Sequence, residues 1–480
     1  MILARLRTVM LTLLLLLLPW GRQAAAYSTL THEQLIDLTW QDSIVPLLLS
    51  RYPNLTAAQL EQARAYAYGG CVIQDIGYYP FGDHSFSDLT HYVRSGDFVV
   101  NLFRNASNAN ELAFAVGALS HYIGDSVGHS ESVNLAVPIE FPKLLAKYGP
   151  TVSYAEGERE HVQTEFAFDI DEIAHHRVAP LRYLRHVGLK VPQRQLELAF
   201  YQTYGLSEDF SEKRGRRINV SEYRFAVRSF IPRIAYALTI LHRRHEPVEV
   251  NTPERLEIEE EVAAMETEND WQAYRRRAGM GTYALAGLIF VLPKVGPLKL
   301  VAIKGPTEAT EADYTHSLAM SVSALRRVLA SFTPPTGAHS ATANAIPGHS
   351  IAGQIAARKS RDPRHPLPNL DLDTGLVVQP GGYSLTDSTY ASLLHRLTRT
   401  PAQPISPSIK ADIQAYYANP ASPITTKKNP DQWAQVQADL VTLASMPTST
   451  EPPPYPTYDE SAESDRQAAT PVPHQPKQLP

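Results

Sequence analysis

The sequence is poor in cysteine, balanced in charge and without a membrane-length apolar run, and each shortage excludes a class of protein. One cysteine, Cys71, stands among 480 residues, so no internal disulfide can form. Stability must come from core packing or from bound metal. Cys71 itself reads as a small core residue, with zinc ligation as the alternative. Lys and Arg number 44 against 49 Asp and Glu, which lacks the basic footprint of a duplex nucleic-acid binder. No internal repeat, no strict polar–apolar alternation and no convincing Ser or Cys nucleophile motif is present. The leucine-rich run Met10–Leu18 falls short of the ~20 residues that a membrane span needs.

That run has a different use. Arg5 and Arg7 precede it, Pro19 and Trp20 end it, and Ala24, Ala25 and Ala26 follow. This is the order of a secretory signal, so residues 1–26 are expected to be cleaved, the mature chain to begin at Tyr27, and the protein to be exported, secreted or periplasmic.

Apolar residues make up 44% of the chain, enough for a sizeable core, and the length allows two or three domains. From His32 to about Arg244 the spacing is helical, most clearly in Ala57–Tyr68, Glu111–Gly128, Gln193–Tyr204 and Ser221–Leu241. An all-α catalytic domain over 27–250 is therefore expected. A helical extension, 251–333, follows. Within it the uncharged run Met280–Leu292 suits a core helix packed on that domain, or else a membrane-surface element, better than a span. Residues 334–480 hold more than half of the 37 prolines and are expected to have little structure, apart from isolated helices at Thr386–Leu397 and Asp431–Leu443. The tail Thr448–Pro480 reads as disordered.

The chemistry concentrates between Tyr27 and Glu165. His121, Asp125 and His129 recur every four residues, which on a helix places all three near one face. Imidazole nitrogen and carboxylate oxygen are zinc ligands, and a carboxylate between two histidines can bridge two ions, one oxygen to each. His161 and Glu165 repeat the spacing, Asp75 and His84 lie in a Gly- and Pro-containing loop, and His32 stands alone upstream. Any one of these could cap a helix or fill a core gap; the set within one short stretch points to a metal centre.

Three segments carry a resemblance. Asp75-Ile-Gly-Tyr-Tyr-Pro80, Ser120-His-Tyr-Ile-Gly-Asp-Ser-Val-Gly-His129 and His161-x-x-x-Glu165 resemble the Asp-bearing loop, the central metal helix and the closing pair of the zinc-dependent phospholipase C family. The fold is shared with P1-type nucleases and the catalytic domain of glycosylphosphatidylinositol-specific phospholipase D. The resemblance covers roughly residues 27–245. It implies an all-α fold and up to three zinc ions. Asp75, His84, His121 and Asp125 would hold one ion. His129, His161 and Glu165 would hold a second. Asp125, His32 and the amino group and carbonyl of Tyr27 would hold a third. Tyr at the mature terminus departs from the Trp frequent in the family. His91 competes with His84, which is favoured because it lies beside the tyrosines of the loop. Asp75 would also serve as general base.

The function so implied is hydrolysis of a phosphate ester, most readily phospholipase C-type cleavage of phospholipids, with contact to a membrane surface. Two alternatives stand beside it. One is a P1-like nuclease or phosphomonoesterase, for which Tyr78, Tyr79 and Phe81 would supply base-stacking surfaces. The other is a non-catalytic exported zinc-binding module. The sequence leaves the headgroup and the oligomeric state open.

Overall fold

The computed structural model describes residues 28–79, 82–208, 210, 220–242, 250–275, 278–293, 299, 301–303, 305–332, 365, 367–419 and 428–449. The expected signal segment 1–26, Tyr27, Phe81 and the tail beyond 449 lie outside them. The described chain is all-α apart from one two-stranded hairpin and an isolated bridge between Ile405 and Thr448, as the helical spacing implies.

Helix α1 (Thr29–Thr39) runs through a π turn into α2 (Val45–Arg51). α3 (Ala57–Gly70) begins at a capping box in which Thr56 and Gln59 satisfy each other's backbone N–H groups. α4 (His84–Tyr92) and α5 (Ser95–Asn105) follow, then α6 (Ala109–Gly128), whose first turn is capped by Asn108 accepting from Asn110 N and Glu111 N. A π turn, His129–Val133, carries α6 into α7 (Asn134–Glu140). α8 (Pro142–Tyr148) leads to α9 (Tyr154–Ala174), which has its own capping box at Ser153 and Glu156. α10 (Leu181–Val187), α11 (Gln193–Tyr204), α12 (Val220–Phe225) and α13 (Ile231–His242) complete the expected catalytic stretch.

α6 is the central helix, and Leu112, Phe114, Val116 and Leu119 on it are buried in the main core. It meets α3 at two glycines. A Cβ on Gly117 would stand 2.2 Å from Ala67 O, and one on Gly70 2.1 Å from Phe114 O. Only glycine permits so close an approach. The approach brings the end of α3 to the face of α6 that carries His121.

The extension contributes α14 (Pro253–Glu268), α15 (Trp271–Tyr274), α16 (Met280–Val291) and α17 (Glu308–Phe332). α16 buries Leu285, Ala286 and Ile289 against α13 and α9, as a packed helix should, but leaves Met280, Tyr283, Phe290 and Val291 exposed. No described helix is long and apolar enough to cross a membrane.

Residues 367–419 and 428–449 hold more structure than the two isolated helices expected at Thr386–Leu397 and Asp431–Leu443. A hairpin of Leu370–Asp371 with Leu376–Val377 precedes α18 (Ser384–Thr398), α19 (Pro407–Tyr416) and α20 (Pro430–Ser445). Leu393, Leu394, Leu397, Ile409 and Ile413 join the main core. The prolines here start helices: Pro407 and Pro430 occupy first-turn positions, where the missing N–H costs nothing.

Candidate metal centre

Four elements converge on Asp125. It lies on α6, fully buried, and its two oxygens face different partners. Oδ1 is 3.1 Å from His32 Nε2 on α1, while Oδ2 is 3.1 Å from His91 Nε2 on α4 and 3.2 Å from His121 Nε2 on α6. Asp75, in the 3-10 turn Gln74–Gly77, places Oδ1 3.3 Å from His91 and 3.8 Å from His121. Asp75, His91, His121 and Asp125 thus present ligand atoms all within 4.8 Å of one another.

The second group is His129, His161 and Glu165, also within 4.8 Å of one another and buried. His161 and Glu165 are one turn apart on α9. His129 opens the π turn after α6. Along a helix His121 and His129 are ~12 Å apart, so one face serves two positions in series.

Backbone carbonyls set the tautomers. His91 Nδ1 donates to Ser87 O (2.8 Å) and His121 Nδ1 to Cys71 O (3.0 Å), which leaves both Nε2 lone pairs facing inward. His161 is reversed: Nε2 donates to Val152 O (2.8 Å) and Nδ1 faces the cluster. His32 is set by the start of α1, where Asp169 on α9 accepts from Leu30 N and Thr31 N (both 3.2 Å) and from the Thr31 hydroxyl (3.0 Å).

Electrostatics follow from this crowding. Burial works against the Asp125 charge, but the His121 charge and hydrogen bonds from the surrounding imidazoles outweigh it and hold the carboxyl well below its usual range. Burial pushes Glu165 up, and Asp125 and Asp75 push it further. Burial lowers His161 to about 4, and carries His129 well below its ordinary value.

The donor set fits divalent zinc. His129 Nδ1 and Nε2, His161 Nδ1 and Glu165 Oε1 are buried without a hydrogen-bond partner. Leaving such atoms unsatisfied costs about 1–3 kcal/mol each, a penalty that a cation ligated by imidazole and carboxylate removes. A third acidic group, Asp171, Glu172 and Glu311, is already neutralised. Arg177 and Arg255 reach Glu172 at 2.8 and 3.0 Å, and Arg255 also pairs with Glu311.

The structure brings together His32, Asp75, His121 and Asp125, and separately His129, His161 and Glu165. His84 is in neither group, whereas His91, the competing residue, lies in the first. Both lie on α4, seven residues and nearly two full turns apart, so they share a face but not a depth. His84 stands half-buried at the helix start, its ring 5.7 Å from that of Tyr78, while His91 reaches Asp75. Cys71 is a core residue outside both groups; it enters the site only through its carbonyl. Asp373, which the sequence reading passed over, places Oδ1 3.4 Å from His129 Nε2.

Fold and site define an all-α protein with a buried centre of imidazoles and carboxylates arranged for more than one divalent cation. Residues 31–208 match the family model described as zinc dependent phospholipase C. Every residue of the two groups lies within the match, whereas Asp373 does not. No curated protein and no solved structure matches the chain.

Proposed function

We propose that the protein is a zinc-dependent phosphoric ester hydrolase of phospholipase C type that acts on phospholipids. The observation that carries this reading is the division of Asp125, with one oxygen toward His32 and the other toward His91 and His121. Such a carboxylate suits two neighbouring cations, and the family match supplies zinc.

Asp75, His91, His121 and Asp125 would hold one ion, His129, His161 and Glu165 a second, and His32 with Asp125 part of a third. Tyr27, offered for the third, lies outside the described residues. Clustered zinc makes hydroxide available near neutral pH and neutralises phosphate charge. The Asp75 carboxylate, at the edge of the first group, takes the proton from the attacking water. A new P–O bond forms, the bond to the glycerol oxygen breaks, and a proton returns to that oxygen. The carbonyls of Ser87, Cys71 and Val152 keep the imidazoles oriented throughout.

The tyrosines favour lipid over nucleic acid. Tyr78 is buried, lies against His91 with ring centroids 5.3 Å apart, and donates to Asp88 at 3.0 Å. Tyr79 stacks on Tyr223 and bonds Thr29. Neither is an open stacking platform. The deciding experiment supplies purified protein with phosphatidylcholine, phosphatidylinositol and single-stranded DNA, each with and without chelator. Chelator-sensitive release of phosphorylated headgroup is expected. Release of nucleotides alone points to the nuclease reading, and no turnover of any substrate points to a binding module.

The exposed face of α16 is the proposed contact with the lipid surface. It is coupled to the centre, because Gln163, between His161 and Glu165 on α9, donates to Lys299 O and Ala302 O just beyond α16 (2.7 and 3.0 Å). Burying one large apolar side chain contributes about 1.5–3 kcal/mol. The double change Phe290→Glu, Val291→Glu should therefore lower hydrolysis of vesicles by at least about tenfold and leave a soluble short-chain ester untouched. Equal activity of variant and wild type on vesicles would exclude α16 as the contact.

A further inference from the structure

The hairpin at 370–377 is fastened to the helices that carry the metal centre. Leu372 N donates to His91 O at 3.2 Å, and the Ser95 hydroxyl donates to Leu370 O at 2.6 Å. Tyr122 on α6 donates to Pro368 O at 2.7 Å, and Asn134 on α7 to Asp373 O at 2.8 Å. Gly375 has φ +67°, and a Cβ there would lie 2.5 Å from Ser126 O. The turn needs glycine both for its left-handed backbone and for contact with α6.

At its tip Asp373 is fully buried. Oδ2 accepts from Tyr92 OH at 2.9 Å and Tyr383 OH at 2.7 Å. Oδ1 has no hydrogen-bond partner and stands 3.4 Å from His129 Nε2, which has none either. Two hydroxyls therefore fix the carboxylate with its remaining oxygen toward the second group. Three protein donors leave a tetrahedral zinc one short, and bonds of ~2.0–2.1 Å set neighbouring donors roughly 3.3 Å apart. The His129–Asp373 separation matches that edge. Asp373 is outside the set whose ligand atoms all lie within 4.8 Å of one another, so it approaches from the His129 side.

We propose that Asp373 is a fourth protein donor of the second cation site, so that the C-terminal segment completes the metal centre. This rests on the zinc reading above. The second ion is then enclosed by two imidazoles and two carboxylates. Retention of that ion and docking of residues 367–398 become one equilibrium.

The test uses the full chain as wild type, Asp373→Asn and Asp371→Asn. Asparagine at 373 keeps an acceptor for the two tyrosines while removing the anionic oxygen. Asp371 belongs to the same turn, where it accepts from Thr374 N at 3.1 Å and from the Thr386 hydroxyl, but offers nothing to the cluster. Zinc per chain is measured after equilibration with a zinc buffer, alongside the rate of proteolytic cleavage within 367–398 with and without zinc. The expected result is that D373N binds one zinc at least about tenfold more weakly and loses zinc-dependent protection, while D371N keeps both. D373N equal to wild type overturns the proposal, as do equal losses in D373N and D371N, which would make the role one of packing. A wild-type chain that takes up no zinc overturns the zinc reading and this proposal with it.

Discussion

A chain carrying Asp125→Ala is expected to lose more than one zinc and at least about a thousandfold in kcat/KM, equivalent to roughly 4 kcal/mol of transition-state stabilisation. The size of the effect follows from the position of the carboxylate. One oxygen serves His32 and the other serves His91 and His121, so a single substitution strips two neighbouring positions of their shared anion. Three buried imidazoles then face one another, with His91 and His121 Nε2 atoms 3.3 Å apart, and only Asp75 remains as counter-charge. Elemental analysis of the purified variant is the measurement. Retention of the full wild-type zinc complement would show that Asp125 does not bridge. The second group should keep its ion, because none of its three residues depends on Asp125 for placement.

Removal of zinc should destabilise the fold, and more so at alkaline pH. With free zinc at 100 times Kd, each site adds about 2.7 kcal/mol, so two sites raise Tm by on the order of 5–10 °C. In the metal-free chain, burial and the neighbouring Asp371 push Asp373 up to about 8. Its contribution to stability is full below the unfolded value near 3.8 and is lost as pH rises through about 8. Glu165, raised by burial, acts in the same direction. His161, lowered to about 4, acts oppositely, but only between about 4 and its unfolded value of 6.5. Above pH 6.5 Asp373 and Glu165 act together with His91 and His121, which Asp125 and Asp75 raise despite their burial, and metal-free stability falls. Zinc binds the deprotonated donors, so its stabilising effect should grow over the same window. Thermal unfolding with and without chelator at pH 6 and pH 8 checks this. A zinc-dependent Tm shift that is equal or smaller at pH 8 would contradict it.

Helical periodicity made most of this architecture legible in advance. His121, Asp125 and His129, and likewise His161 and Glu165, declare themselves because four-residue spacing has one geometric meaning on a helix. The choice between His84 and His91 is different. Both positions lie on one helix, and what separates them is the depth at which Asp75 meets α4, a tertiary fact that spacing does not encode. Asp373 left less trace still. It lies in a proline-rich stretch, and its partners Tyr92 and His129 are far away in sequence. Proline content marked residues 334–480 as a region of little structure with isolated helices, yet at Pro407 and Pro430 proline marks helix starts. Their apolar partners lie in other parts of the chain, so a local reading finds no core for Leu393, Leu394 and Leu397.

The fastening of the 370–377 hairpin also bears on the order of biosynthesis. Tyr122 and Pro368 are 246 positions apart, and Asn134 and Asp373 are 239 apart. Chains emerge N-terminus first, at roughly 5–20 residues per second, and contacts of such separation close late. The helices bearing His32 to Glu165 are synthesised tens of seconds before the hairpin that covers them. Through that interval His129 lacks Asp373, the carboxylate that stands 3.4 Å from its Nε2 in the finished fold.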